Sequence, residues 1–180
     1  ATGNTVMAAV LIPGRTTIFN AACEPHVQDL CQMLNDMGAK ISGIGTNYLT
    51  VDGVSQLRGV RHRVSPDYVE AASFMTAAAL TGGALVVEYA QGDILDLAGR
   101  PLRRLGMKWT GGDGKLTLPA NHKLRVRNDF DSAMPKIEDG PWPSFPSDLM
   151  SVAIVLATQS RGTVLFFEKM FESRMYFVDQ

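Results

Sequence analysis

The segment Pro143-Ser-Phe-Pro-Ser-Asp148 opens an apolar, helix-like run, and Phe171-Glu-Ser-Arg174 follows beyond the next β-rich stretch. This order sets a carboxylate at the start of a helix and a guanidinium past the following strand. The carboxylate can take a proton from an alcohol, while the guanidinium can hold a carboxylate or phosphate through two parallel hydrogen bonds. Together they read as half of an active site. Each residue also has a plainer use. An aspartate in the first turn caps free amides and suits the helix dipole. An arginine set among Met175, Tyr176 and Phe177 can serve a structural ion pair with Glu168 or Glu172. Sequence spacing leaves both uses open.

Other polar groups carry less chemistry. Lys123, Arg125 and Arg127 alternate with Leu124 and Val126, which places three cations on one face of a predicted strand. They line either an anion-binding groove or a solvated edge that discourages unwanted pairing. Arg61, His62 and Arg63 pose the same choice. His26, His62 and His122 share no ligand spacing, so no metal is assigned. Cys23 and Cys31, the only cysteines, suggest neither a disulfide framework nor a zinc site, and free, inert thiols are expected. Gly43-x-Gly45 and Gly111-Gly112-x-Gly114 read as hairpin turns, because no strand, glycine loop and helix order supports a dinucleotide site. Trp109 and Trp142 lie too far apart to suggest a base-stacking platform.

These residues need a scaffold, and 180 residues suffice for a real core in one large domain or two small ones. With 46% hydrophobic and 19% charged residues and a net charge of −1, the composition is that of an ordinary globular protein. No bulk charge points to nucleic acid or lipid. The apolar stretches at 74–80 and 149–157 are too short to span a bilayer, and the N-terminal residues lack a signal peptide's regions, so a cytoplasmic protein is expected. The chain opens at Ala1, directly in a helical pattern, which suggests a piece of something longer.

An internal repeat organises the chain. One offset superposes Met7 on Met75, Gly14 on Gly82, Leu34 on Leu102, Gly38 on Gly106, Lys40 on Lys108 and Gly43 on Gly111. A second superposes Pro66, Gly82, Leu85 and Glu88 on Pro146, Gly162, Leu165 and Glu168. The unit begins with a helix (5–12, 70–81, 148–159) that is apolar on nearly every side and therefore buried. Glycine ends it. A β-rich run follows (16–19, 84–88, 163–167), then an amphipathic helix, clearest at 24–37, where Val27, Leu30, Cys31 and Leu34 recur at helical spacing. Two strands at 40–44 and 48–51 close the unit, and a further strand at 60–64 leads into the second copy. The fold is therefore α/β (α+β), with roughly two and a half β-α-β-α-β-β units. Ser65-Pro66 can act as a hinge, and 128–146, with four prolines, reads as a stiff loop.

Five ordered motifs resemble the UDP-N-acetylglucosamine 1-carboxyvinyltransferase family of enolpyruvyl transferases. They are Asn20-Ala-Ala-Cys-Glu-Pro25, Leu34-Asn-Asp-Met-Gly-Ala-Lys-Ile-Ser-Gly-Ile-Gly-Thr46, Arg63-Val-Ser-Pro-Asp67, Phe145-Pro-Ser-Asp148 and Phe171-Glu-Ser-Arg174. The resemblance implies two similar domains of repeated β-α-β-α-β-β units closing on a cleft. Residues 1–58 would be the last repeat of one, 59–65 a hinge, and 66–180 the first repeats of the other. It further implies transfer of the enolpyruvyl group of phosphoenolpyruvate to the sugar 3-hydroxyl, opening peptidoglycan synthesis, with no metal or organic cofactor. Asp148 matches the aspartate at the sugar hydroxyl, Arg174 an arginine of the phosphoenolpyruvate site, and Met170 a position whose backbone meets the UDP-sugar.

Departures accompany the matches. Cys23 and Ser173 stand where the family usually has arginine and asparagine, and the 128–140 loop is longer than usual. The family's N-terminal lysine and asparagine pair and its reactive loop are not among these residues. The expected partners are accordingly the two substrates and the remaining segments of the same enzyme, and the chain alone is expected to be inactive. A 3-phosphoshikimate acceptor and a noncatalytic nucleotide-sugar-binding module are the alternatives.

Overall fold

Gly14, Gly82 and Gly162, superposed by the repeat, sit at φ of 100°, 74° and 133°, and Gly38 and Gly106 at 105° and 102°. Glycine alone adopts this backbone without penalty, so the repeat's punctuation is conformational. In the computed structural model, which describes residues 1–179 and at Asp179 the backbone alone, the chain divides into two units, Ala1–Ser65 and Pro66–Gln180.

The first unit runs α1 (Thr2–Ala9), β1 (Arg15–Phe19), α2 (Pro25–Asp36), β2 (Lys40–Ser42) and β3 (Tyr48–Asp52). Its antiparallel sheet has the order β1-β3-β2. Leu49 and Val51 of β3 alternate inward and meet Val27, Cys31 and Leu34 from the apolar stripe of α2, with Val6 of α1 completing the core. Pro25 opens α2 where its missing N–H costs nothing. The strand expected over 60–64 does not form. Its alternation finds no sheet edge, and side chains anchor the segment instead. Asp29 on α2 accepts from the Ser65 hydroxyl at 2.7 Å and meets His62 Nε2 at 3.2 Å.

The second unit comprises α3 (Tyr68–Leu80), β4 (Leu85–Glu88), α4 (Gly92–Ala98), α5 (Arg100–Arg104), β5 (Thr110–Gly112), β6 (Lys115–Leu118), β7 (Lys136–Glu138), α6 (Met150–Thr158) and β8 (Leu165–Phe167). The order β4-β6-β5 repeats that of the first sheet. Asp67 caps α3, its Oδ1 accepting from the amides of Val69 and Glu70 at 2.8 and 3.2 Å. As their composition requires, α3 and α6 lie in the core, which holds Ala72, Met75, Leu149, Met150, Ala153 and Leu156. Asp113 and Gly114, at φ of 50° and 71°, join β5 to β6 as a type I′ hairpin demands.

Two departures from the repeat have local causes. The second copy's amphipathic helix is broken into α4 and α5 at Gly99, where a Cβ would fall 2.5 Å from the Leu95 carbonyl oxygen and 2.8 Å from the Trp109 ring. Trp109 is held in place by donating to Asp96 at 3.0 Å beneath the Arg103 guanidinium, 3.7 Å from its ring centroid. The other departure is β7, which lies in the stretch read as a loop and pairs in parallel with β8. The strand leading into a repeat thus precedes the third copy, where β7, α6 and β8 form a β-α-β crossover. Among the described residues no helix is long and apolar enough to cross a membrane.

Candidate functional site

In a parallel β-α-β unit the segments leaving the carboxyl ends of the strands share one edge, where ligands of open α/β sheets bind. From β7 the chain passes Pro141, Pro143 and Pro146 to Asp148, and from β8 it passes 168–171 to Arg174. The proline segment is fixed, because the Gly140 amide donates to the Phe145 carbonyl at 3.0 Å and Trp142 packs on Tyr68, ring centroids 5.7 Å apart.

The structure brings Asp148 and Arg174 together. Asp148 lies within a 3-10 turn, Ser147–Leu149, whose N-cap is Pro146, while Leu149 is the N-cap of α6. It is therefore not the cap that its position suggested. Its Oδ1 accepts from both Nη1 and Nη2 of Arg174, at 3.0 and 2.9 Å. Arg174 pairs with Asp148 and not with Glu168 or Glu172, and its guanidinium stands 5.1 Å from the Phe171 ring centroid. The Asp148 side chain is 65% exposed and that of Arg174 34%, so the pair is open to a ligand. An alcohol can approach the carboxylate, and an anion can take the guanidinium's donors.

Met170, 41% exposed, lies in the segment that leads from β8 to Arg174. Its amide and that of Phe171 donate to Glu168 Oε1 at 3.2 and 3.1 Å. Beneath the turn Asp139, 1% exposed, accepts from the Lys169 amide at 2.6 Å. Sequence reading missed Asp139 and gave Glu168 only a place as a possible partner of Arg174. The signal was the register: Glu138 pairs with Phe167, so the next rung sets Asp139 against Glu168. Burial, then the neighbouring Asp139, pushes the Glu168 carboxyl above its ordinary value. Lys136 and Lys169 hold that of Glu138 below its own.

The other candidates are dispersed. Lys123, Arg125 and Arg127 do face outward while Val126 is buried, yet the predicted strand shrinks to one bridge between Arg125 and Arg161. Arg125 lines a groove of about 750 Å³ with Arg161, and Arg127 one of about 470 Å³ with Arg100 and Lys136. Neither groove includes Asp148 or Arg174. His62 is spent on Asp29 and Asp36. Cys23 and Cys31 are not joined in a disulfide, and burial pushes both thiols up and away from reactivity. Among the described residues no three His, Cys, Asp or Glu side chains gather as a metal site.

Known proteins resemble this arrangement over its whole length. The family model described as EPSP synthase (3-phosphoshikimate 1-carboxyvinyltransferase) matches residues 1–180. The UDP-N-acetylglucosamine 1-carboxyvinyltransferase of Treponema denticola is 52% identical over 184 residues, covering 100% of this chain and 42% of that protein. The protein of the same name from Bacteroides fragilis is 46% identical over 179 residues, covering 99% and 41%. The chain thus spans about 42% of the length of the curated relatives it matches. The enolpyruvyl transferase NikO from Streptomyces tendae matches at a TM-score of 0.77 and 23% identity, over 96% of this chain and 40% of that one. That match carries the fold: the repeated units have the enolpyruvyl transferase architecture.

Proposed function

The chain belongs to the EPSP synthase (3-phosphoshikimate 1-carboxyvinyltransferase) family, and from that premise we propose that it forms part of an enzyme transferring the enolpyruvyl group of phosphoenolpyruvate to the 3-hydroxyl of UDP-N-acetylglucosamine. The observation that carries the reading is the Asp148 and Arg174 pair, assembled from two distant segments at the open edge of the β-α-β unit. The identity to relatives bearing the UDP-sugar name favours that acceptor over 3-phosphoshikimate.

In this reading the sugar oxygen adds to the substituted carbon of phosphoenolpyruvate while the methylene carbon gains a proton. The resulting tetrahedral adduct loses that position's proton and its phosphate, restoring the double bond. Asp148 receives the hydroxyl proton, and its carboxylate holds the alcohol within reach of the acceptor carbon. Arg174 neutralises the substrate anion as charge develops. Met170, whose amide is spent on Glu168, offers its carbonyl oxygen to the sugar. Residues 1–58 and 66–180 would belong to two domains joined by a hinge at 59–65, with further segments of the enzyme completing the cleft. Such an enzyme would open peptidoglycan synthesis and act in the cytoplasm.

The acceptor tests the reading. An enzyme containing this chain, supplied with phosphoenolpyruvate and each alcohol in turn, is expected to form the carboxyvinyl ether of UDP-N-acetylglucosamine. Product from 3-phosphoshikimate alone rejects the assignment, and binding without turnover of either favours a noncatalytic module.

A further inference from the structure

Among the described residues three buried carboxylate oxygens meet no conventional donor, and two of them, on Asp139 and Glu168, face each other across one rung. Asp139 spends Oδ1 on the Lys169 amide and Glu168 spends Oε1 on the amides of Met170 and Phe171, while Asp139 Oδ2 and Glu168 Oε2 are buried without one. The register explains their company. The rung after Glu138 and Phe167 sets the two side chains against each other at the end of the β7 and β8 pair. Ionised together they would repel and leave both oxygens unsatisfied, whereas one proton between them lets one carboxyl donate to the other.

We propose that Asp139 and Glu168 share a single proton and thereby act as positioning residues that fix the turn 168–171, setting the main chain of Met170 and Phe171. The charges nearby are spent elsewhere. Lys136 and Lys169 both bridge to Glu138, at 2.6 and 3.3 Å, and Arg174 bridges to Asp148. The main chain of Phe145, bridged to Asp139, brings no charge from the proline segment. The upward displacement of the Glu168 carboxyl has the direction that a shared proton requires. The shared proton stands on this geometry alone, and only the turn's service to a sugar ligand rests on the functional reading above.

The test is an NMR titration of the 180-residue chain, following the carboxyl carbons of Asp139 and Glu168 and the amides of Lys169, Met170 and Phe171. In the wild type one carboxyl is expected to titrate above the ordinary glutamate value of about 4.3, with the three amides moving in the same step. In Glu168→Gln the side-chain amide donates to Asp139 without a titrating proton, so the step vanishes and the amides keep their low-pH positions. Asp139→Asn, expected to behave alike, stands in if the first variant fails to fold. Two carboxyls titrating at ordinary values, or amides indifferent to the step, overturn the proposal. UDP-N-acetylglucosamine titrations on the same samples separate its two parts. Affinity that falls through the step in the wild type alone supports the positioning role, and affinity blind to the step overturns it. Absence of binding at every pH rejects the functional reading and leaves the shared proton to the NMR result.

Discussion

Both terminal nitrogens of Arg174 converge on one oxygen of Asp148, Oδ1, at 3.0 and 2.9 Å. A structural clamp would use the carboxylate's two oxygens in parallel. The single-oxygen contact on an exposed edge suits a pair that gives way to a ligand. Arg174→Gln is therefore expected to change stability by less than about 1 kcal/mol in urea denaturation. The same variant is expected to lose roughly ten- to a hundredfold in affinity for a phosphate- or carboxylate-bearing substrate, the worth of a charged hydrogen bond. A large stability loss with unchanged affinity would make the pair structural.

Asp29 predicts an acid-sensitive first unit. Burial raises its carboxyl, but hydrogen bonds from the Ser65 hydroxyl and amide and from His62 outweigh that and hold it below the ordinary aspartate value. A depressed carboxyl contributes stability above its unfolded value of about 3.9, and that contribution is lost as pH falls through the lower folded value. Thermal melts of Asp29→Asn against wild type should differ by about 1–3 kcal/mol near neutrality and converge in acid. A difference constant with pH contradicts the linkage.

Gly99→Ala tests the broken helix. The added Cβ meets Leu95 oxygen and the Trp109 ring at under 3 Å, an overpacking expected to cost about 1–3 kcal/mol. Trp109 fluorescence, followed through urea denaturation, should report both the loss and a changed ring environment. A cost below about 0.5 kcal/mol would mean that α4 and α5 separate freely.

The apolar helix α6 offers a paired test. Leu156 is fully buried, whereas its neighbour Val155 is 48% exposed. Leu156→Ala should cost about 2–5 kcal/mol by calorimetry, and Val155→Ala much less. Similar costs would mean that the helix buries another face.

That contrast shows where sequence reading stops. Periodicity identified the buried face of α2, because Val27, Cys31 and Leu34 alternate with polar residues. In α6 nearly every position is apolar, so only packing chooses Leu156 over Val155. Glycine spacing revealed the repeat, since positive φ at Gly38 and Gly106 restricts residue type. The strand β7 was hidden, because three residues between Pro135 and Pro141 show no period and its parallel partner lies beyond a helix. Val60 to Val64 alternates like a strand, but alternation says nothing about whether an edge is available. In the site, Asp148 and Arg174 were legible as residue types placed by flanking motifs. Asp139 and Glu168 were not, because only the β7 and β8 register makes them neighbours.

The most direct test is calorimetric titration of the purified chain with UDP-N-acetylglucosamine, comparing wild type with folded Asp148→Ala. The account predicts saturable binding by the wild type that is lost in the variant. Equal binding by both proteins, or binding by neither, contradicts it.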